Sequence, residues 1–198
     1  MLPGLFRRRR RAQLVCRILE LQQALAQAEH ALHRDDLTPL LNRRGFRRAC
    51  DQHPQDGPAP VISCVMIDLD DFKSINGTHG HPAGDAVLQH FASALRRQLR
   101  PEDTVARLGG DEFALLLTGT TALDVERILL RIQRDLHRNP CPLLREPRPL
   151  KFSAGIAQRA LEESLAAALA RADAALLDAK RRGKNHVVRA TADTQLPP

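Results

Sequence analysis

Residues 104–117 read Thr-Val-Ala-Arg-Leu-Gly-Gly-Asp-Glu-Phe-Ala-Leu-Leu-Leu. Two short apolar runs, Thr104–Arg107 and Glu112–Leu117, flank Leu108-Gly109-Gly110-Asp111. Adjacent glycines between such runs predict a tight hairpin, because glycine reaches positive φ without a steric penalty. Two acids, Asp111 and Glu112, then sit on the turn.

The neighbouring segments place this hairpin in a sheet. Val61–Ile67 reads as a buried strand, too short for a helix and rich in β-branched residues. It runs directly into Asp68, with Asp70, Asp71 and Lys73 close behind. Pro82–Leu99 predicts an amphipathic helix with Val87, Leu88, Phe91 and Leu95 on one face. After the hairpin come a helix at Ala122–His137, a proline-rich loop at Cys141–Pro149 and a strand at Lys151–Ala157. A helix at Ser164–Arg182 and a last strand at Asn185–Arg189 complete the series. Near the start, Asp35-Asp36 is expected to cap a helix carrying Leu37, Leu40, Leu41 and Phe46 inward. That helix ends before the Pro- and Gly-rich loop at 51–60. Interspersed strands and helices around a central hairpin imply an α+β fold, an α/β sandwich with a mixed sheet and helices on both faces. The sequence contains no internal repeat.

Composition narrows the function classes. The chain has 198 residues, 43% hydrophobic and 27% charged, which suits one globular domain plus an extension. Aromatics are 3%, with no Trp or Tyr, which excludes stacking platforms for single-stranded nucleic acid. The net charge is +7, but residues 1–34 hold +5 of it, leaving +2 for the rest. The run Arg7–Arg11 reads as a solvated helix start, with contact to a membrane surface or another polyanion left open. Cys16, Cys50, Cys64 and Cys141 have neither metal-ligand nor redox spacing and read as free thiols of a reducing cytosol. The segment before residue 35 reads neither as a signal peptide nor as a membrane span. A cytoplasmic location follows, with peripheral inner-membrane contact open.

Leu14, Ile18, Leu21, Leu25, Ala28 and Leu32 recur in steps of four and three, the seam of a short coiled coil. The expected organisation is therefore a basic segment and dimerisation helix at 1–34, a globular domain at 35–190, and a disordered tail at 191–198.

The acids divide into two clusters. Asp68 ends a buried strand, and Asp111 and Glu112 sit on the hairpin. If the strand and the hairpin are neighbours, these carboxylates converge, and a hard cation such as Mg²⁺ or Mn²⁺ would offset their repulsion. Spacing alone leaves ordinary surface acids equally open. Asp70 and Asp71 read as helix caps, and Asn76-Gly77 by itself as a turn. His79 and His81 lack zinc spacing, and His81 is expected to make structural hydrogen bonds.

Taken together, the ordered blocks resemble the GGDEF-domain diguanylate cyclases. The resemblance rests on Arg107-Leu-Gly-Gly-Asp-Glu-Phe113, Asp36-Leu-Thr-Pro-Leu-Leu-Asn-Arg-Arg44, Asp68-Leu-Asp-Asp-Phe-Lys-Ser-Ile-Asn76 and Gly80-His-Pro-Ala-Gly-Asp85. Phe152-Ser-Ala-Gly-Ile-Ala157 and the segment Arg171–Asn185 extend it over about residues 35–190. It implies a GGDEF-type nucleotidyl cyclase fold in which two domains, each holding one GTP, form cyclic di-GMP and two pyrophosphates as a homodimer. By position, Asp68, the Leu69 carbonyl, Asp111 and Glu112 would hold two Mg²⁺ or Mn²⁺ ions per half-site. Asp111 or Glu112 would also help deprotonate the attacking hydroxyl. Asn76 and Asp85 match guanine-reading positions, and Lys73, Lys180 and Lys184 match phosphate-binding ones. Gly109 and Gly110 would let the backbone approach the phosphates.

The same resemblance implies product inhibition at Arg100-Pro-Glu-Asp103, where the residues alone also read as a helix end with a proline stop; Arg131 lies where the family can supply a second arginine from a partner domain, and its role stays open. Pro39, Gly77, Leu177 and Lys184 depart from the family pattern, and Lys184 replaces an arginine fork with a point charge. A competing expectation is an inactive module that receives cyclic di-GMP through Arg100 and Asp103. Another is a different cyclase or GTP-binding regulator in the same fold. Control by a sensor partner, by a membrane surface met at Arg7–Arg11 or by concentration is left open, and specific nucleic acid is not expected as a partner.

Overall fold

Alternation along one strand organises the molecule. The computed structural model describes residues 15–24, 31–53, 61–142, 144 and 149–191. In strand β1 (Ile62–Leu69), Val65, Ile67 and Leu69 join one apolar cluster, while Ile62, Cys64 and Met66 join another. Successive strand residues point to opposite faces, so β1 has core on both sides. It lies at the centre of a five-stranded sheet with β2 (Thr104–Gly109), β3 (Glu112–Thr118), β4 (Phe152–Gln158) and β5 (Val187–Arg189), in the order β2-β3-β1-β4-β5. The β2–β3, β3–β1 and β1–β4 pairings are antiparallel, and β4–β5 is parallel.

Five helices cover this sheet: α1 (Arg43–Asp51), α2 (Phe72–His79), α3 (His81–Gln98), α4 (Ala122–Arg138) and α5 (Leu165–Arg181). Helices α3 and α4 pack on one face, where Phe91 meets Phe113 edge-on at 4.8 Å and Phe152 at 5.4 Å. Helices α1 and α5 pack on the other through Phe46, Leu165, Ala168 and Ala172. The mixed sheet with helices on both faces is the architecture the pattern implied. Helix α5 approaches β4 closely because Gly155 has no side chain. A Cβ there would lie 2.0 Å from the Ala172 carbonyl oxygen. Side-chain caps start α1, α4 and α5: Asn42 accepts from Gly45 N, Thr121 from Asp124 N and Ser164 from Ala167 N.

Two local expectations are corrected. Asp35-Asp36 does not cap a helix, and residues 35–41 form an irregular segment. Asp35 instead accepts from the Thr38 N–H and hydroxyl at 2.8 and 2.7 Å, and Pro39 steers the residue before it away from helical geometry. The segment lies along the free edge of β2, with Leu41 N donating to the Val105 carbonyl and Arg107 N to the Leu41 carbonyl. The second correction is α2 itself. Asn76 and Gly77 lie inside this helix rather than in a turn.

Residues 15–24 are helical, with Ile18 and Leu21 exposed, and Leu32 further along is exposed as well. Leu14, Leu25, Ala28 and Arg7–Arg11 lie outside the described residues, as do 192–198. No helix among the described residues is long and apolar enough to cross a membrane. The four cysteines are free. Burial pushes the Cys64 thiol up to about 12 and the Cys50 thiol to about 11, so both stay protonated near neutral pH.

One ion pair anchors the start of α5. Arg171 donates Nε to Glu163 Oε1 at 2.7 Å and Nη2 to Oε2 at 2.6 Å, with side chains 17% and 14% exposed. The Arg171 hydrogen bonds hold the Glu163 carboxyl below its ordinary 4.5. A lowered folded value means that the stabilisation is present above pH 4.5 and lost as pH falls through that folded value. Glu163→Gln is expected to cost about 2–4 kcal/mol at neutral pH. Urea unfolding should find the gap to wild type narrowing towards pH 3; a gap independent of pH would refute the assignment.

Candidate active site

Strand β1 ends in acid beside acid. Asp68 stands in register opposite Glu112 of β3 on one side and Ser153 of β4 on the other. Directly opposed residues share a face of the sheet, and like charges there repel. Cations from two other elements answer them. Lys180 of α5 places Nζ 2.7 Å from Asp68 Oδ2. Arg43 of α1 places Nη2 3.3 Å from Glu112 Oε2 and donates Nε to the Leu108 carbonyl at 3.1 Å.

The hairpin tip closes the cluster. Gly109 (φ 143°) and Gly110 (φ 53°) take backbone conformations that side chains disfavour. Leu69 N donates to the Asp111 carbonyl at 3.2 Å, fastening the tip to the end of β1. Burial, and next the charge of Asp68, raise the Asp111 carboxyl above its ordinary range. Arg107 donates Nε to the Gly110 carbonyl at 2.9 Å and Nη1 to both Asp35 oxygens at 3.2 and 3.0 Å. The irregular segment at 35–41 thus braces the turn.

Asp68, Asp111 and Glu112 are oxygen donors of the kind a hard divalent cation prefers, and their mutual repulsion gives such an ion a role. Among the described residues no three acid, His or Cys side chains are gathered into a finished metal cage. Lys180 and Arg43 hold the carboxylates instead. The donor set fits a cation on condition that these two side chains turn aside.

Helices α2 and α3 meet at Gly80 (φ 83°) and bring Asn76 and Asp85 to one corner. The Asn76 Oδ1 is buried and has no hydrogen-bond partner. It rests against Gly84, where a Cβ would lie 1.8 Å away. Asp85, the next residue, is exposed. Sequence reasoning did not single out Gly84, although a glycine inside an amphipathic helix signals close approach. Lys73 is exposed in the first turn of α2. The His81 side chain is exposed and makes no hydrogen bond among the described residues, so its expected structural role is not found.

Asp70 and Asp71 do not cap α2 with their side chains. Asp71 occupies the N-cap position of α2 but its side chain makes no cap bond. Its Oδ1 accepts from Lys184 Nζ at 2.7 Å. Asp70 is 7% exposed and accepts from Ser153 Oγ and Asn185 N, both at 2.8 Å. Burial is the main influence on its carboxyl and raises it. Neither this role nor that of Arg43 was legible in the sequence, because each partner is distant along the chain.

Arg100 and Asp103 follow α3. Arg100 is exposed, and the buried Asp103 accepts from the Arg100 N–H at 2.8 Å. Arg131 Nη2 donates to the Gln98 carbonyl at 3.1 Å, which brings it to the same corner. That corner lies at the opposite end of β2 from Gly109, roughly 15–20 Å away at the rise of an extended strand.

Known proteins match this chain in sequence and in fold. The family described as "Diguanylate cyclase, GGDEF domain" matches residues 32–186. The probable diguanylate cyclase DgcT of Escherichia coli is 32% identical over 170 residues, covering 83% of this chain and 37% of the relative. The response regulator PleD of Caulobacter vibrioides is 38% identical over 160 residues, covering 78% of this chain and 35% of the relative. The chain thus spans just over a third of the length of these two relatives. Among solved structures, the coiled coil and GGDEF domain of DgcB from Caulobacter crescentus, in complex with c-di-GMP, superposes with a TM-score of 0.83 at 32% identity. That match covers 92% of this chain and 98% of the other.

The Arg43–Glu112 pair is exposed, and Glu112 also faces the like charge of Asp68. Glu112→Gln is therefore expected to leave the unfolding free energy within about 1 kcal/mol of wild type. A larger loss in a denaturant titration would mean that Glu112 is a structural residue.

Proposed function

The chain belongs to the GGDEF diguanylate cyclase domain family, and from that premise we propose that it condenses two GTP into cyclic di-GMP and two pyrophosphates. The observation that carries this reading is the register of Asp68 opposite Glu112, beside the Asp111 turn and within reach of Lys180. Acids for cation binding and ammonium groups for phosphates then meet at one end of the sheet.

Asp85 and Asn76 would read the base. A carboxylate accepts both N1–H and N2–H of guanine, a pair that adenine lacks, and loss of such a paired contact discriminates by orders of magnitude. The unpartnered buried Asn76 Oδ1 is consistent with a donor arriving from a ligand. Lys73, Lys180 and Lys184 would hold the triphosphate. They would be joined by the first N–H groups of α2, which have no partner within the helix, and by the Gly109-Gly110 backbone. Mg²⁺ or Mn²⁺, two per half-site, would be held by Asp68, the Leu69 carbonyl, Asp111 and Glu112 and would supply charge neutralisation and a more acidic hydroxyl.

The 3′-oxygen of one nucleotide bonds to the α-phosphorus of the other as the bond to the β-phosphate breaks, and pyrophosphate leaves. Asp111 or Glu112 takes the hydroxyl proton. Each half-site holds one nucleotide, so alignment of two chains controls the rate through proximity. The exposed Ile18, Leu21 and Leu32 support a pairing helix within 1–34, followed by the catalytic domain at 35–190. Input through Arg7–Arg11 or a sensor partner, and product feedback at Arg100, Asp103 and Arg131, complete the proposal.

Purified protein given GTP and Mg²⁺ is expected to release cyclic di-GMP and pyrophosphate. Turnover per chain should rise with protein concentration, and added cyclic di-GMP should slow it. Absence of product at high protein concentration would sink the proposal, as would Glu112→Gln retaining normal turnover. Gly84→Ala is expected to displace the Asn76 carboxamide and weaken GTP binding about tenfold, with melting little changed. Unaltered affinity would remove Asn76 from the base site.

A further inference from the structure

Three non-glycine residues among those described have positive φ: Asp71 (59°), Lys184 (64°) and Asn185 (52°). All three surround Asp70. Asp71 follows it in sequence, Asn185 donates its N–H to Asp70 Oδ2 at 2.8 Å, and Lys184 precedes Asn185. Left-handed geometry disfavours residues with a Cβ, and such conformations persist where the surroundings over-determine them. Two in succession therefore need an anchor.

Asp70 provides it. Its backbone N–H donates to the Lys151 carbonyl at 2.9 Å, and its Oδ1 accepts from Ser153 Oγ at 2.8 Å. The carboxylate is thus held by the lead into β4 and by β4 itself, while its second oxygen holds the turn after α5. Both groups facing it are donors in this arrangement, and a carboxylate offers two acceptors. The turn then presents Lys184 to the acid-rich end of β1, with its ammonium 2.7 Å from Asp71 Oδ1. One helical turn earlier, Lys180 reaches Asp68 from the same side.

We propose that Asp70 is a positioning residue: it anchors the left-handed turn at Lys184 and Asn185 and so aims the Lys184 ammonium at the nucleotide's phosphates. This rests on the reading of the site as one for GTP. Asp70 touches neither the phosphates nor the base and acts through Lys184 alone.

The test measures equilibrium binding of 3′-deoxy-GTP with Mg²⁺, a probe that lacks the attacking hydroxyl and is not consumed, against GMP. Asp70→Asn keeps the shape but replaces a charge-assisted bond with a neutral one. It is expected to weaken 3′-deoxy-GTP binding about fivefold and leave GMP nearly unaffected. In a Lys184→Ala background the same substitution should change 3′-deoxy-GTP affinity by less than about twofold. Ser153→Ala removes one anchor of the carboxylate and should give a smaller loss of the same selectivity, which keeps the test available if Asp70→Asn folds poorly. Equal losses for both nucleotides, or losses that add to that of Lys184→Ala, would overturn the positioning role alone. Wild-type protein with no affinity for 3′-deoxy-GTP would overturn the functional reading and the positioning role together.

Discussion

Two carboxylates set opposite each other on adjacent strands repel, and the molecule is organised around offsetting that repulsion at Asp68 and Glu112. Each draws a cation from a separate helix, Lys180 from α5 and Arg43 from α1. Asp111 joins them from the turn, where burial and then the charge of Asp68 raise its carboxyl above its ordinary range. The site is electrostatically balanced without being dry. Its ion pairs lie near solvent, where each contributes little to stability. They can therefore be broken at small cost to the fold.

The site needs rigid surroundings, which the core supplies. Strand β1 is buried on both faces, so its end is fixed from both sides. Gly155 and the alanine-rich face of α5 let that helix settle against β4, bringing Lys180 within reach of Asp68. The Arg107 bridge from Gly110 to Asp35 ties the hairpin to the segment entering the domain.

Much of this is legible in the sequence. The strand before Asp68, the glycine hairpin and the three long helices appear within a few residues of the expected bounds, because each has an unambiguous period or a strong punctuating residue. The misreadings share a cause. Asp35 has the local pattern of a cap, but it has Arg107, 72 positions away, as its partner. Asp70 has the same pattern, but its hydrogen bonds go to Ser153 and Asn185. Helix α2 escaped notice because it is short, carries Gly77 and begins at a left-handed Asp71 without a side-chain cap. Local propensity is a weak guide where distant donors compete for an aspartate.

The amino-acid order by itself determined the family, the layered α+β architecture and the residue types available for chemistry. Periodicity and turn residues are local properties, and ordered motifs survive without coordinates. Only the tertiary structure decided which carboxylates are opposed across strands, which lysine pairs with which acid, and that Asp70 is a buried anchor rather than a cap. Those assignments depend on strand register and helix approach, and both are set by packing between residues far apart in the chain.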